Sequence, residues 1–317
     1  MRAHRLLLPL AVVFAVVAVP LPGGAAESDV EWMEVFSPDG AITRTAVPRT
    51  FESRAAPAEV RAAVVPIQQT GAPEQRFDLV FVGDGYTAAE TAAYHAHVVD
   101  KWDELSAVEP FKSYQRYFNV WRVDVVSNES GVDNDPALGS ARDTALDMGF
   151  WCQGRDLQTE RLLCVNQTKA TQFAALAPGA DQVIALGNTA KYGGAGGGVA
   201  TAAGGNAQAG QIAVHELGHS IGGLADEYDY PYEAYSGAEP TEVNVTKDPT
   251  GAKWSAYLGQ PSPDGGAVGA FTGAKYHRTG LYRPTSDSIM RTLGREFNLV
   301  GRDAMVDAFR ARVPELP

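Results

Sequence analysis

Three observations predict a mixed α/β fold of the α+β kind. A continuous apolar run, Phe77 to Val82, leads into a stretch with helical periodicity and then into a second strand-like run, Phe118 to Val126. A third such run follows Asp181. Two further helical segments, one carrying His215 and His219 and one near Arg302 to Arg312, come after it with no internal repeat.

The chain opens with Arg2 and Arg5, an apolar run from Leu6 to Leu21, and the small residues Gly24, Ala25 and Ala26. That order is the order of a secretory signal peptide, with cleavage expected after Ala26. Pro9 and Pro20 interrupt the run, which falls short of the roughly 20 residues that span a bilayer. No later stretch is long and apolar enough to cross a membrane, so the mature chain is expected to be exported, soluble and free of the membrane. Losing Arg2 and Arg5 moves the net charge from −12 to −14. An acidic balance of that size disfavours nucleic acid or an anionic membrane as partner, since both need a basic face. The 291 residues that remain of 317 can bury a substantial core.

Residues 27–75 carry Pro38, Pro48, Pro57, Pro66 and Pro73 and little helical periodicity. They read as a strand addition, a linker or a propeptide, with residues 76–317 as the catalytic domain. Within them, "EVFSPDGAITRTAVP" reads as a hairpin turning at Pro38-Asp39-Gly40. The segment has no cysteine, so it cannot silence a metal through a thiolate. After the strand at Phe77, Thr87 and Glu90 have the spacing of a capping box, and Tyr94, Val98, Trp102 and Leu105 then recur at helical intervals. The crossover to Phe118 has the length of a βαβ unit. Asp84 reads as a strand end that helps turn into that helix. A turn-rich stretch holds Cys152 and Cys164, the two cysteines of the chain. In an exported protein they are expected to pair, contributing about 3 kcal/mol.

"YGGAGGGVATAAGGN" lacks both the phosphate-loop ending and the dinucleotide pattern. It reads either as a surface loop or as an extended edge, Val199 to Ala202, that a peptide backbone can approach. The most informative stretch follows, "VHELGHSIGGLADEY". His215 and His219, at i and i+4, share one face of a helix, and Glu216 points about 100° away. That pattern suits two imidazoles on one ion and a carboxylate that handles the proton of an attacking water, as in His-Glu-x-x-His metalloproteases. Ile212, Val214, Leu217 and Ile221 make the helix apolar enough to bury, and Gly222-Gly223 are suited to end it.

Together with "FDLVFVGDGYT", "YFNVWRVDVVSNESGVDND" and "GLYRPTSDSIMR", this stretch resembles the IgA-peptidase-type zinc metallopeptidases, family M64, of the metzincin-like group. The resemblance covers roughly Arg76 to Arg312. It implies a secreted zinc endopeptidase with a twisted mixed sheet, an active-site helix, a Met-turn and a C-terminal helix. His215 and His219 would be zinc ligands, Glu216 the general base, and Met290 the Met-turn residue. The metzincin pattern places glycine three residues after the second histidine, matched by Gly222, and a ligand six after it, where this chain has Ala225. One inserted residue, Gly223, would move the ligand to Asp226, with Glu227 as rival. Tyr228, Tyr276 and Tyr282 are candidates to donate to a developing oxyanion. His277 is a substrate-binding or surface residue. His95 and His97 are expected on a solvated helix face, and Asp133, Asp135, Asp229 and Glu233 read as solvated charges without calcium-loop spacing.

The function expected is hydrolysis of peptide bonds in a protein or peptide substrate by a zinc-activated water. The alternatives are a binding protein on a metalloprotease scaffold, disfavoured by the intact Glu216, and a zinc amidase for non-protein amides.

Overall fold

The structure, a computed structural model, describes residues 30–48, 62–154 and 156–313. The expected signal peptide lies outside the described residues. The hairpin forms where expected: β1 (Val30–Phe36) and β2 (Ile42–Pro48) pair antiparallel. Ser37 donates its N–H to the Ala41 carbonyl, and Gly40 takes φ +88° in the turn. A side chain at Gly40 would also strike the Leu293 carbonyl, to which the turn is docked.

β3 (Ala62–Gln68), from the segment expected to be an extension, forms the antiparallel edge of a six-stranded sheet. Its Pro66 is tolerated because an edge strand needs fewer ladder donors. β4 (Phe77–Asp84), α1 (Thr91–Ser106) and β5 (Phe118–Val125) make the expected βαβ unit, with β4 and β5 parallel neighbours. Tyr94, Val98, Trp102 and Leu105 are the buried stripe of α1, and Glu90 reaches back to the Thr87 N–H and hydroxyl at 2.9 and 2.8 Å.

Two short strands, β6 (Gly149–Phe150) and β7 (Leu163–Cys164), pair antiparallel, and the Cys152–Cys164 disulfide ties the turn after β6 to β7. α2 (Gln167–Ala174) and β8 (Gln182–Gly187) follow, then β9 (Gly194–Ala195), β10 (Ala200–Ala203) and α3 (Gly210–Ser220). β11 (Tyr232–Ala234), β12 (Phe271–Ala274) and β13 (His277–Arg283) form a small sheet, and α4 (Leu299–Arg312) closes the described chain.

The main sheet runs β3-β5-β4-β8-β10-β9, parallel within and antiparallel at both edges. Alternation along β4 divides the core. Leu79 and Phe81 face α1, α3 and α4, whereas Val80 and Val82 face α2, which is why the strand reads as one unbroken apolar run. The reading of Val199 to Ala202 as a peptide-accepting edge is corrected, because β10 lies between β8 and β9. The open side belongs to β9 and the glycines after it.

Asp84 does more than end its strand. Fully buried, its carboxylate accepts from Leu146 N and Met148 N at 2.8 Å and from the hydroxyls of Thr144 and Ser127. It thereby pins the turn-rich stretch before the disulfide to the sheet, and burial pushes its carboxyl up from the usual range. Among the described residues no helix is long and apolar enough to cross a membrane.

Candidate metal centre

α3 is held from both sides. Ile212, Val214 and Leu217 are buried in the main core, and Gly218 lets the helix settle where a Cβ would lie 2.6 Å from the Met290 sulfur. The helix ends as the glycine pair suggests, but the two glycines differ in task. Gly223 takes the left-handed conformation, φ +58°, and donates to the His219 carbonyl, while Gly222 makes room for Met305.

His215 is completely buried, and its Nδ1 lies 3.0 Å from the Ile289 carbonyl. His219 Nδ1 lies 2.7 Å from the Leu224 carbonyl. A carbonyl only accepts, so each Nδ1 carries a proton and each ring turns Nε2 inward, where it offers a lone pair once a metal displaces any proton held there. The two Nε2 atoms face each other at 3.1 Å. Such lone pairs repel unless a cation stands between them.

The chain returns through Asp226, whose Oδ1 lies 3.4 Å from His215 Nε2 and 3.3 Å from His219 Nε2. That oxygen is buried and accepts no ordinary hydrogen bond, while Oδ2 accepts from the Tyr276 hydroxyl at 2.6 Å. Glu227 is placed quite differently. Its carboxylate accepts from Asn244, Asn298 and Ser288 at 3.0, 2.8 and 2.8 Å, so both oxygens are already engaged away from the imidazoles. Ala225 packs with Val245, Ala274 and Leu281.

A fourth group was not legible in the sequence. Glu34 of β1 puts Oε2 3.3 Å from His215 Nε2 and 3.8 Å from His219 Nε2, and its Oε1 accepts from the Tyr228 hydroxyl at 2.5 Å. One ligand atom each from Glu34, His215, His219 and Asp226 lies within 4.8 Å of all the others. Two imidazole nitrogens and two carboxylate oxygens at this spacing fit a divalent metal.

The electrostatics agree. Burial alone would favour neutral imidazoles, but the carboxylates of Asp226 and Glu34 outweigh it and hold His215 well above its usual range. Asp226 does the same for His219, raised to about 9. Burial would raise Asp226 in turn, yet the two imidazoles hold it well below the usual carboxylate range. The pocket stabilises positive charge, which is what a divalent cation brings.

Glu216 sits on the adjoining wall of the same cavity, about 290 Å³ in volume, with His219, Asp226, Gly196 and Tyr276. Burial raises its carboxyl to about 7, and its Oε1 has no hydrogen-bond partner. Gly196, just past β9, is what lets it lie there: a Cβ would come within 2.3 Å of a Glu216 oxygen.

The family model described as IgA Peptidase M64 matches residues 65–263 and 258–309. The chain belongs to the M64 peptidases. Membership makes it a hydrolase acting on peptides or proteins, in a family of metallopeptidases. No curated protein matches it.

The remaining candidates of this M64 chain fall outside the centre. Tyr282 lies in β13, bridged through its backbone to Thr246. His277 packs between the rings of Tyr232 and Tyr235. His95 is exposed, but His97 corrects the expectation of a solvated face, being half-buried with Nδ1 2.8 Å from the Tyr86 hydroxyl. Asp133 and Asp135 accept from Arg142 N and Thr189, and Asp229 and Glu233 pair with Arg291 and Arg278. These four acids do not converge.

Proposed function

We propose that this M64 peptidase is a secreted, zinc-dependent endopeptidase, in which His215, His219 and Asp226 hold the metal and Glu216 is the general base. The observation that carries the reading is the convergence of two inward Nε2 lone pairs on the unpartnered Asp226 Oδ1, with the Glu216 carboxylate on the same cavity wall. Zinc at such a centre supplies a Lewis acid for the scissile carbonyl and makes water nucleophilic near neutral pH.

Glu216 takes the proton of the attacking water and delivers it to the leaving amine. Its raised carboxyl suits both halves of that task near neutral pH. The Ile289 and Leu224 carbonyls fix the imidazole orientation, and the Tyr276 hydroxyl steadies Asp226. Tyr276 lines the cavity, but its one hydroxyl proton is given to Asp226, so its part is to hold that ligand in place. Met290 lies beneath Gly218 in the role of the Met-turn residue. The disulfide supports the assignment to an oxidising, extracellular compartment.

The test is Glu216→Gln, made in the parent chain and in Glu34→Ala because Glu34 crowds the two imidazoles. Zinc is expected to stay at about one per chain while cleavage of unstructured casein falls to background, a loss on the order of 100-fold or more. Undiminished cleavage rejects Glu216 as the base.

A further inference from the structure

Three of the four groups around the centre come from α3 and the turn after it, inside the region matched to the family. Glu34 does not. It lies in the β1–β2 hairpin, which ends at Pro48, before the match begins at residue 65.

A hydrolytic zinc centre keeps three protein ligands and leaves a fourth position for water and substrate, whereas four protein ligands make a closed site. Glu34 completes a set of four. Its placement follows from strand alternation. Trp32, Glu34 and Phe36 share one face of β1, and Phe36 is buried in the core with its ring edge-on to His215 at 5.5 Å. On the other face, Met33 and Val35 pack on the disulfide.

The hairpin is anchored at further points. Ile42 is fully buried, Leu293 N donates to the Gly40 carbonyl at 2.9 Å, and the Arg44 guanidinium lies 3.9 Å from the Tyr276 ring centre. Glu31, Trp32, Met33, Glu34 and Arg44 build one wall of the cavity whose other wall holds Glu216 and His219. β1 also runs beside β9, the edge strand of the main sheet; its Gly194 is bonded to the Arg161 carbonyl, and the margin from Ala195 onward is the natural place for an extended peptide. The two phenols suited to hydrogen-bond a substrate are occupied as well: Tyr228 by Glu34, and Tyr276 by Asp226 with Arg44 over its ring.

We propose that Glu34 is a fourth metal ligand supplied by the chain itself, and that the β1–β2 hairpin is an inhibitory segment lying in the substrate path. The proposal rests on the metal-centre reading above. In it, the hairpin must leave before substrate can enter, and departure frees at once the fourth coordination position, the Tyr228 hydroxyl and the side of β9. The missing cysteine is no obstacle, because a carboxylate is an adequate zinc ligand and a more easily exchanged one than a thiolate.

The experiment compares the full chain with Glu34→Ala and Glu34→Gln, the second keeping the side-chain volume so that what is lost is the metal bond that holds the hairpin in the substrate path, and not packing. Each is loaded with cobalt(II) to equal content. Acetohydroxamate is titrated while the visible absorption of cobalt is followed, and cleavage of a quenched fluorescent peptide is measured alongside. An internal ligand that holds about 99% of the molecules closed weakens an external ligand about 100-fold. Both variants are therefore expected to bind acetohydroxamate about 100-fold more tightly than the parent and to cleave the peptide faster. Equal acetohydroxamate affinity in all three proteins overturns the proposal, as does failure of all three to bind cobalt. Tighter acetohydroxamate binding by the variants with no cleavage by any of them upholds Glu34 as the fourth ligand and refutes the peptidase reading instead.

Discussion

The contact between Gly196 and Glu216 provides a sharp test of the assigned base. A Cβ at residue 196 would sit 2.3 and 2.4 Å from the two carboxylate oxygens of Glu216, whereas real Cβ atoms stay beyond 3.0 Å. Gly196→Ala must therefore move the carboxylate or the backbone by about 0.7 Å. A misplacement approaching 1 Å at a reacting group costs on the order of 100-fold in rate. We expect kcat/KM for a fluorogenic peptide to fall by about that factor when Gly196→Ala is built on Glu34→Ala, with metal content unchanged. Stability should fall by about 1–3 kcal/mol from overpacking, which leaves a folded protein to assay. Gly198→Ala is the control, since its Cβ would meet only Gln167 Oε1 at 3.4 Å. An undiminished kcat/KM in Gly196→Ala refutes the placement of Glu216, and an equal loss in Gly198→Ala assigns the effect to the loop instead.

Asp226→Ala is expected to lose the metal, whereas Glu227→Gln keeps it and loses about 1–3 kcal/mol because one of three buried donors is left unpaired. Metal analysis of folded protein and thermal melts separate the two, and the reverse pattern would move the ligand role to Glu227. Burial would raise the Glu90 carboxyl, but the hydrogen bonds it accepts from Ser130, Thr87 and Asn188 together outweigh burial and lower the carboxyl from 4.5 to about 2. A lowered acid stabilises the fold fully above its unfolded value, and that contribution fades as pH falls from about 4.5 through about 2. After allowance for solvent screening the effect is about 1 kcal/mol. The melting temperature of the parent should therefore drop more steeply across that window than that of Glu90→Gln, and parallel curves would refute the assignment.

What the sequence disclosed and what it hid divide by chain distance. His215 and His219 meet through one helical turn, so their spacing alone brings them together. The α1 stripe and the β4–α1–β5 unit are equally local. Asp226 needed only the inserted Gly223 to be recognised as a candidate. Glu34, by contrast, joins His215 across 181 positions, and nothing in "EVFSPDG" distinguishes it from the other acids of a strand. The embrace of Asp84 by residues 144–148 and the fit of Gly196 against Glu216 are likewise products of tertiary packing. The prolines of 27–75 left a strand addition, a linker and a propeptide all open; residues 62–68 form an edge strand, whose margin accommodates Pro66.

β9 pairs with β10 on one side; on the other Gly194 donates to the Arg161 carbonyl, and β1 lies alongside without joining the ladder. A strand margin left unpaired, as here from Ala195 onward, is a template on which a second copy of the same chain can dock and spread. The segment that withholds the active centre therefore also works as a bumper against self-association. Shedding it should leave a protein more reactive and more prone to clump, so that catalytic lifetime after release becomes a race between turnover and precipitation.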